Sequence, residues 1–347
     1  MPLDRLQEAS AHCSIGLIPV LTIGILALSA FSFSSNELPA ALLQVVQAAE
    51  APARDEMSAI ERITYYRRFL KLPAASEDSA MSARALEEAQ AQLQNNHASG
   101  GAETKSPVTR VTSKSGILNP TTTLAISPTN GSLSGGEIID LMMAMPLAAL
   151  KIIDPQLARV GFGSQCDGTV CVAVMSVRRG LDKSTRLEFY EASDADRFWN
   201  PNLGPIPPTP GRLISAIEFP PDGGVTPRLA YNGGDWPNAL EVCPDYSTPT
   251  GPPIILQFGK GTSTDAPEVS THSLTRDGQN VAHCLVQQSS FGGPDDPSAK
   301  KNPVWQYLLA FGAVIMIPRE PLAPSSTYSV SITADSINNS WSFRTAN

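Results

Sequence analysis

Asp154-Pro-Gln-Leu-Ala-Arg-Val-Gly-Phe-Gly163 is the stretch on which the reading of the fold turns. Asp154-Pro155 makes a turn, because proline fixes φ and aspartate caps its own backbone. A short apolar strand follows, and Gly161 and Gly163 keep one side of it thin. The segment before it, Pro146 to Ile153, is expected to hang over the same cleft.

Upstream of this stretch the pattern is helical. Ser58-Ala-Ile-Glu61 has the spacing of a capping box, and Ile60, Ile63, Tyr66 and Leu70 then recur on one helical face. Pro73 stops that helix. Ser79 to Gln94 reads as a second helix, closed by Asn95-Asn-His-Ala-Ser-Gly-Gly101. Thr104 to Thr123 is polar and turn-rich, a long surface loop. Ser134-Gly-Gly-Glu137 is a second capping box and opens a third helix through Ile138, Ile139, Leu141, Met142 and Met143, broken before Pro146. The clustered methionines read as helical core, since no Cys or His accompanies them as a soft-metal ligand would.

Downstream, Asp167-Gly168 is a hairpin turn, Val170 to Val177 its second strand, and Leu187 to Tyr190 a further candidate strand. Trp199 to Arg212 carries five prolines and marks a boundary. Beyond it the pattern is all-β. Ile214–Phe219, Ile254–Phe258, Val314–Ile317, Tyr328–Thr333 and Trp341–Thr345 are short runs set apart by turn residues. The expected fold class is therefore α+β. Residues 1–54 form a signal peptide or anchor with its tether, 55–198 a first domain, 199–212 a linker and 213–347 a β-sandwich.

Composition narrows the function classes. The 347-residue chain is 42% hydrophobic and 17% charged, enough for buried cores. A net charge of −8 with no basic run argues against a nucleic-acid partner. Ser14 to Phe33 is an uninterrupted apolar run, about the length of a membrane-spanning helix. Small residues at Ala27, Ser29, Ala30, Ala48 and Ala49 offer cleavage sites. Export is the expectation, either secreted or held at the membrane by this segment.

Five cysteines fit an oxidising compartment. Cys13 borders the apolar run and stands apart from the mature fold. Cys166 and Cys171 flank the hairpin turn, which brings two sulfurs within reach. Cys243 and Cys284 are expected to pair in the second half. The competing reading is a metal site, for which a lone Cys-x4-Cys is a weak signal.

Three stretches together resemble the CAP superfamily of cysteine-rich secretory proteins, antigen 5 and plant pathogenesis-related proteins. They are Ile60-Glu-Arg-Ile-Thr-Tyr-Tyr-Arg-Arg-Phe-Leu-Lys-Leu-Pro73, Met81-Ser-Ala-Arg-Ala through Asn96-His97, and Ile139-Asp140 through Pro146 continuing to Gly163. The resemblance covers about residues 55 to 195 and implies an α-β-α sandwich around a cleft. The tail, Ile317 to Val330 and Trp341 to Thr345, resembles bacterial Ig-like domains.

The family cleft usually gathers two His and two acids able to hold a divalent cation. Carried over residue by residue, His97 matches the first His and is the vestigial cleft candidate. The second His position is Ala148. Met142 to Met145 stand where an acid is expected, Glu137 has a capping role, and Glu103 would reach the cleft only on an inward-folded loop. An alanine neither ligates a metal nor moves a proton.

The expectation is accordingly a non-enzymatic exported binding or structural module, with no catalytic residue, metal or cofactor. By family analogy its ligand is a lipid or peptide. The alternative is a peptidase-like hydrolase using His97 with a rebuilt acid. Gly131-Ser-Leu-Ser-Gly135 lacks the central serine of a nucleophile elbow, and Gly259-Lys-Gly-Thr-Ser lacks P-loop spacing. His272 and His283, among the β-strands, read as surface or structural residues, and Pro294-Asp-Asp-Pro297 as a turn.

Overall fold

The computed structural model describes residues 57–98, 121–127, 132–179, 216–226, 228–235, 237–258, 267–292 and 296–347, with backbone alone at 96–98. The apolar run, the Pro-rich boundary, Glu103 and the candidate strand Leu187 to Tyr190 lie outside the described residues. Among the described residues no helix is long and apolar enough to cross a membrane.

Helices and sheets are both present, so the class is α+β. The chain runs α1 (Ala59–Phe69), β1 (Ser76–Glu77), α2 (Ser79–Ala98), β2 (Thr121–Ile126), α3 (Gly135–Met143), α4 (Pro146–Ile152), β3 (Leu157–Cys166) and β4 (Cys171–Arg179). These strands form one sheet in the order β1-β3-β4-β2, with β1 parallel to β3 and the other pairs antiparallel. Both expected capping boxes are made. Ser58 accepts from Glu61 N, and Ser134 accepts from Glu137 N, each glutamate bonding back to the cap backbone.

Helix α2 lies on one face of this sheet. Ala85, Ala89 and Leu93 pack on Val172 and Val174. The two glycines explain the close approach: a Cβ on Gly163 would meet Leu86 Cα at 2.5 Å, and one on Gly161 would meet Ser82 N at 2.6 Å. Helices α1, α3 and α4 cover the other face, where Ile63, Ile139 and Leu150 share a core with Val160 and Met175. The arrangement is helix, sheet, helices, in three layers.

Four expectations need correction here. Helix α2 runs through His97 to Ala98 instead of ending in a loop at Asn95. Thr121 to Thr123 are not loop but strand β2, with Thr122 and Thr123 buried and paired to Met175 and Val174. Pro146 to Ile152 is not an overhanging segment but helix α4, whose seven residues are all buried, with Ile153 as its C-cap. The region beyond 213 is not all-β, since it contains a buried helix.

That second half runs β5 (Ile217–Phe219), β6 (Val225–Thr226), β7 (Ile254–Gln257), β8 (Val269–Arg276), β9 (Gln279–Asn280), β10 (His283–Val286), α5 (Pro303–Phe311), β11 (Ala313–Pro318), β12 (Thr327–Ala334) and β13 (Ile337–Thr345). One sheet has the order β10-β11-β7-β5, another β6-β13-β12-β8-β9. Alternate residues of β7 and β11 face opposite ways. Ile254, Leu256, Val314 and Met316 pack on Val330, Ile332 and Phe343 of the outer sheet. Ile255, Ile315 and Ile317 instead join the core of α1, α3 and α4. Strands buried on both faces read as continuous apolar runs, as β7 and β11 do.

Residues from Ala51 onward form one compact unit. Its largest hydrophobic core joins residues 59–177 to residues 217–317 across the expected boundary. Polar ties cross it too. Arg179 donates to Ala310 O at 3.1 Å and stacks 4.3 Å over the Phe311 ring. Tyr66 meets Phe219 edge-on, with centroids 6.1 Å apart. The outer surface of the helical layer is thus covered by a sheet and by α5.

Candidate functional site

The position matched to the second cleft histidine is Ala148, in the middle of α4. It is 4% exposed and belongs to the large core. Met142, Met143 and Met145 are buried in the same cluster. Glu137 is engaged as the capping residue of α3. His97 lies in the last turn of α2, and its side chain is outside the described residues.

Three buried polar clusters surround this core. In the first, Arg62 on α1 grips Asp140 on α3 with two bonds, at 2.6 and 3.0 Å. Tyr66 Oη donates to the same carboxylate at 2.6 Å, and burial pushes the Tyr66 hydroxyl far above its usual range. Two tyrosine rings, Tyr65 and Tyr66, lie within 5.0 Å of the Arg62 guanidinium. In the second, Arg67 spreads its donors over the carbonyls of Pro73, Ile152, Asp154 and Leu157. It closes the C-terminal end of α4 and the turn after it, satisfying carbonyls that a helix end leaves open. Asp154 in that turn accepts from Gln156 N and from Arg179. These carboxylates are engaged in holding the scaffold.

The third cluster is an amine. Lys151, near the end of α4, donates to Thr121 O at 3.2 Å and Thr122 Oγ1 at 2.9 Å. Its Nζ lies 5.5 Å from the centroid of the Tyr307 ring on α5. Burial pushes its pKa down to about 7. The side chain bonds β2 and packs on α5, so it fastens α4 to elements from both halves of the chain.

A perturbed carboxyl lies in the β-rich half. Tyr231 Oη donates to Asp235 Oδ1, while Asp235 Oδ2 has no partner among the described residues. Burial pushes the Asp235 carboxyl up to about 7. A neutral carboxyl avoids placing an unpaired charge in the interior. A surface cavity of about 350 Å3 lies between the 245–249 turn and Arg319, Glu320 and Pro321. None of the residues expected from the sequence lines it.

Both expected disulfides are formed, Cys166–Cys171 across the hairpin and Cys243–Cys284 in the second half. They point to an oxidising or extracellular environment. No group of three or more His, Cys, Asp or Glu suited to a metal ion occurs among the described residues.

Two histidines expected only as surface or structural residues are brought together. His272 Nδ1 lies 2.8 Å from His283 Nε2, and His283 Nδ1 lies 2.7 Å from Val281 O. The only sequence signal was two histidines on neighbouring strands, and their contact depends on how β8, β9 and β10 fold back. No protein-family model matches the chain, and no curated protein is significantly similar to it.

Proposed function

We propose that the chain is an exported or membrane-anchored protein whose first half is a CAP-like domain with its cleft lost. It acts as a non-catalytic binding or structural module, and its Ig-like second half is a spacer or adhesive unit. The observation that carries this reading is Ala148. Its methyl group sits inside a closed apolar core at the position where the family places a histidine. The three layers around α1 to α4 support the CAP-like reading, and the two facing sheets of the second half support the Ig-like one. Covering of the helical layer by β7, β11 and α5 is consistent with a pocket traded for a rigid joint. A peptide or lipid is the ligand class, by family analogy.

The test is mass analysis of the protein recovered from fractions of its native host. The expected result is extracytoplasmic protein with Cys166–Cys171 and Cys243–Cys284 bonded. Intact chain in the cytoplasm with free thiols would overturn the export part of the reading. Hydrolysis of peptide or ester substrates that disappears in His97→Ala would overturn the non-catalytic part.

A further inference from the structure

We infer that His272 and His283 form a surface binding site for a divalent transition-metal ion of the copper(II) class. The two rings come from β8 and β10, strands of different sheets, and meet at an exposed edge. A backbone carbonyl only accepts, so His283 Nδ1 carries the proton it shares with Val281 O at 2.7 Å. Its Nε2 is then the lone-pair nitrogen, aimed at His272 Nδ1 2.8 Å away. This is the outer-shell arrangement of metal-binding histidines: one nitrogen held by a carbonyl so that the other presents its lone pair. In the metal-free pair, the His272 Nδ1 proton bridges the two rings.

The spacing lets both nitrogens reach one ion. Two nitrogens each about 2 Å from one ion lie about 2.8 Å apart when they occupy adjacent corners of a square, and about 3.3 Å apart at a tetrahedral angle. The 2.8 Å between the rings is the length of the hydrogen bond they share, and it already lies within a few tenths of an ångström of either separation. Tetragonal nitrogen and oxygen sites suit Cu2+ or Ni2+, and Cu2+ binds most tightly of the divalent series. The ring planes stand at 77°, so modest rotation turns both lone pairs toward one point beside the nitrogen–nitrogen line. On binding, the bridging proton moves to His272 Nε2, and water fills the remaining positions.

The backbone under the pair is already tied. Val281 N donates to Leu274 O at 2.9 Å, and Arg319 N donates to Ala282 O at 2.8 Å. Little ordering is left for the ion to impose, which favours binding by preorganisation. A bound ion would clamp the outer sheet to the inner one. This site is separate from position 148 and does not rest on the CAP-like reading.

The experiment is Cu2+ titration of the full chain in detergent solution, by calorimetry and electron paramagnetic resonance. The chain has four histidines, His12, His97, His272 and His283. The expected result is one Cu2+ per chain with two equatorial nitrogens. Binding weakens at least tenfold in His272→Gln and in His283→Ala, and is unchanged in the His12→Ala, His97→Ala double variant. Glutamine at 272 still donates a hydrogen bond to His283 but offers no nitrogen lone pair, so it separates ligation from a structural role. Unaltered affinity in His272→Gln, a single coordinated nitrogen, or loss of binding in the His12, His97 variant would each overturn the inference.

Discussion

Replacing Lys151 by methionine would remove the buried amine and keep most of its volume. The wild-type amine titrates near 7 in the folded chain against 10.5 when exposed. Below about pH 7 both folded and unfolded chains carry the proton, and the full cost of burying the charge is present. Between about pH 7 and 10.5 the unfolded chain holds one proton more than the folded one. Stability therefore rises with pH across that window, by about 1.4 kcal/mol per unit. Over the whole window the gain has an upper bound of about 5 kcal/mol. From pH 7 to pH 9 it amounts to about 2–3 kcal/mol, since the group is half ionised at the lower end. Methionine at 151 contributes no such slope. The assay is urea unfolding of wild type and Lys151→Met at pH 7, 8 and 9. The expected outcome is a wild-type advantage that grows with pH, set against a methionine variant that gains relatively most at pH 7. Parallel curves for the two proteins would refute the buried-amine reading.

Other perturbations test the scaffold. Gly163→Ala would push a Cβ to 2.5 Å from Leu86 Cα, so α2 must lift off the sheet, at a cost of about 1–3 kcal/mol read from the urea midpoint. Arg62→Met would leave Asp140 buried beside Tyr66 alone, and a loss of about 3–5 kcal/mol is expected in equilibrium unfolding. Replacing Cys243 and Cys284 by alanine frees a sequence separation of 41, against 5 for Cys166 and Cys171. Chain entropy then predicts losses of about 4 and about 2 kcal/mol in that order, and a thermal melt of each double variant gives the ranking.

Much of the first half was legible because its signals are local. Ser58 with Glu61, and Ser134 with Glu137, announce helix starts three residues apart. The glycines at 161 and 163 marked a thin strand, and the structure shows what the thinness serves, the close approach of α2. Strands β7, β11, β12 and β13 fall where short apolar or alternating runs predicted them. Helix α4 was not legible. Pro146-Leu-Ala-Ala-Leu-Lys-Ile152 is buried on every side, so it has no polar face to give a period. Helix α5 did carry signals, Asn302 as N-cap, Pro303 at its first turn and Gly312 in the left-handed region at φ 54. Its aromatic residues fit a strand as readily, and the all-β pattern around it prevailed.

At the candidate site, the alanine at 148 was legible in the sequence, but its burial in a shared core needed three dimensions. Tyr307 and Phe311, the residues that meet Lys151 and Arg179, stand more than 130 positions away. The histidine pair was invisible for the opposite reason. His272 and His283 are 11 positions apart, on strands that the sequence does not show to be neighbours. Only the fold-back through β9 and the shift of β10 into another sheet make them neighbours.

Ala148→His tests the proposed loss of a CAP-like cleft most directly, by placing an imidazole at the position the resemblance assigns to histidine and measuring both stability and zinc uptake. A histidine packed into that closed core adds volume and an unsatisfied polar group, so a loss of about 2–5 kcal/mol is expected, with no zinc bound through His97. A variant as stable as wild type that takes up one zinc ion, released again by His97→Ala, would mean that the cleft is open and the account is wrong.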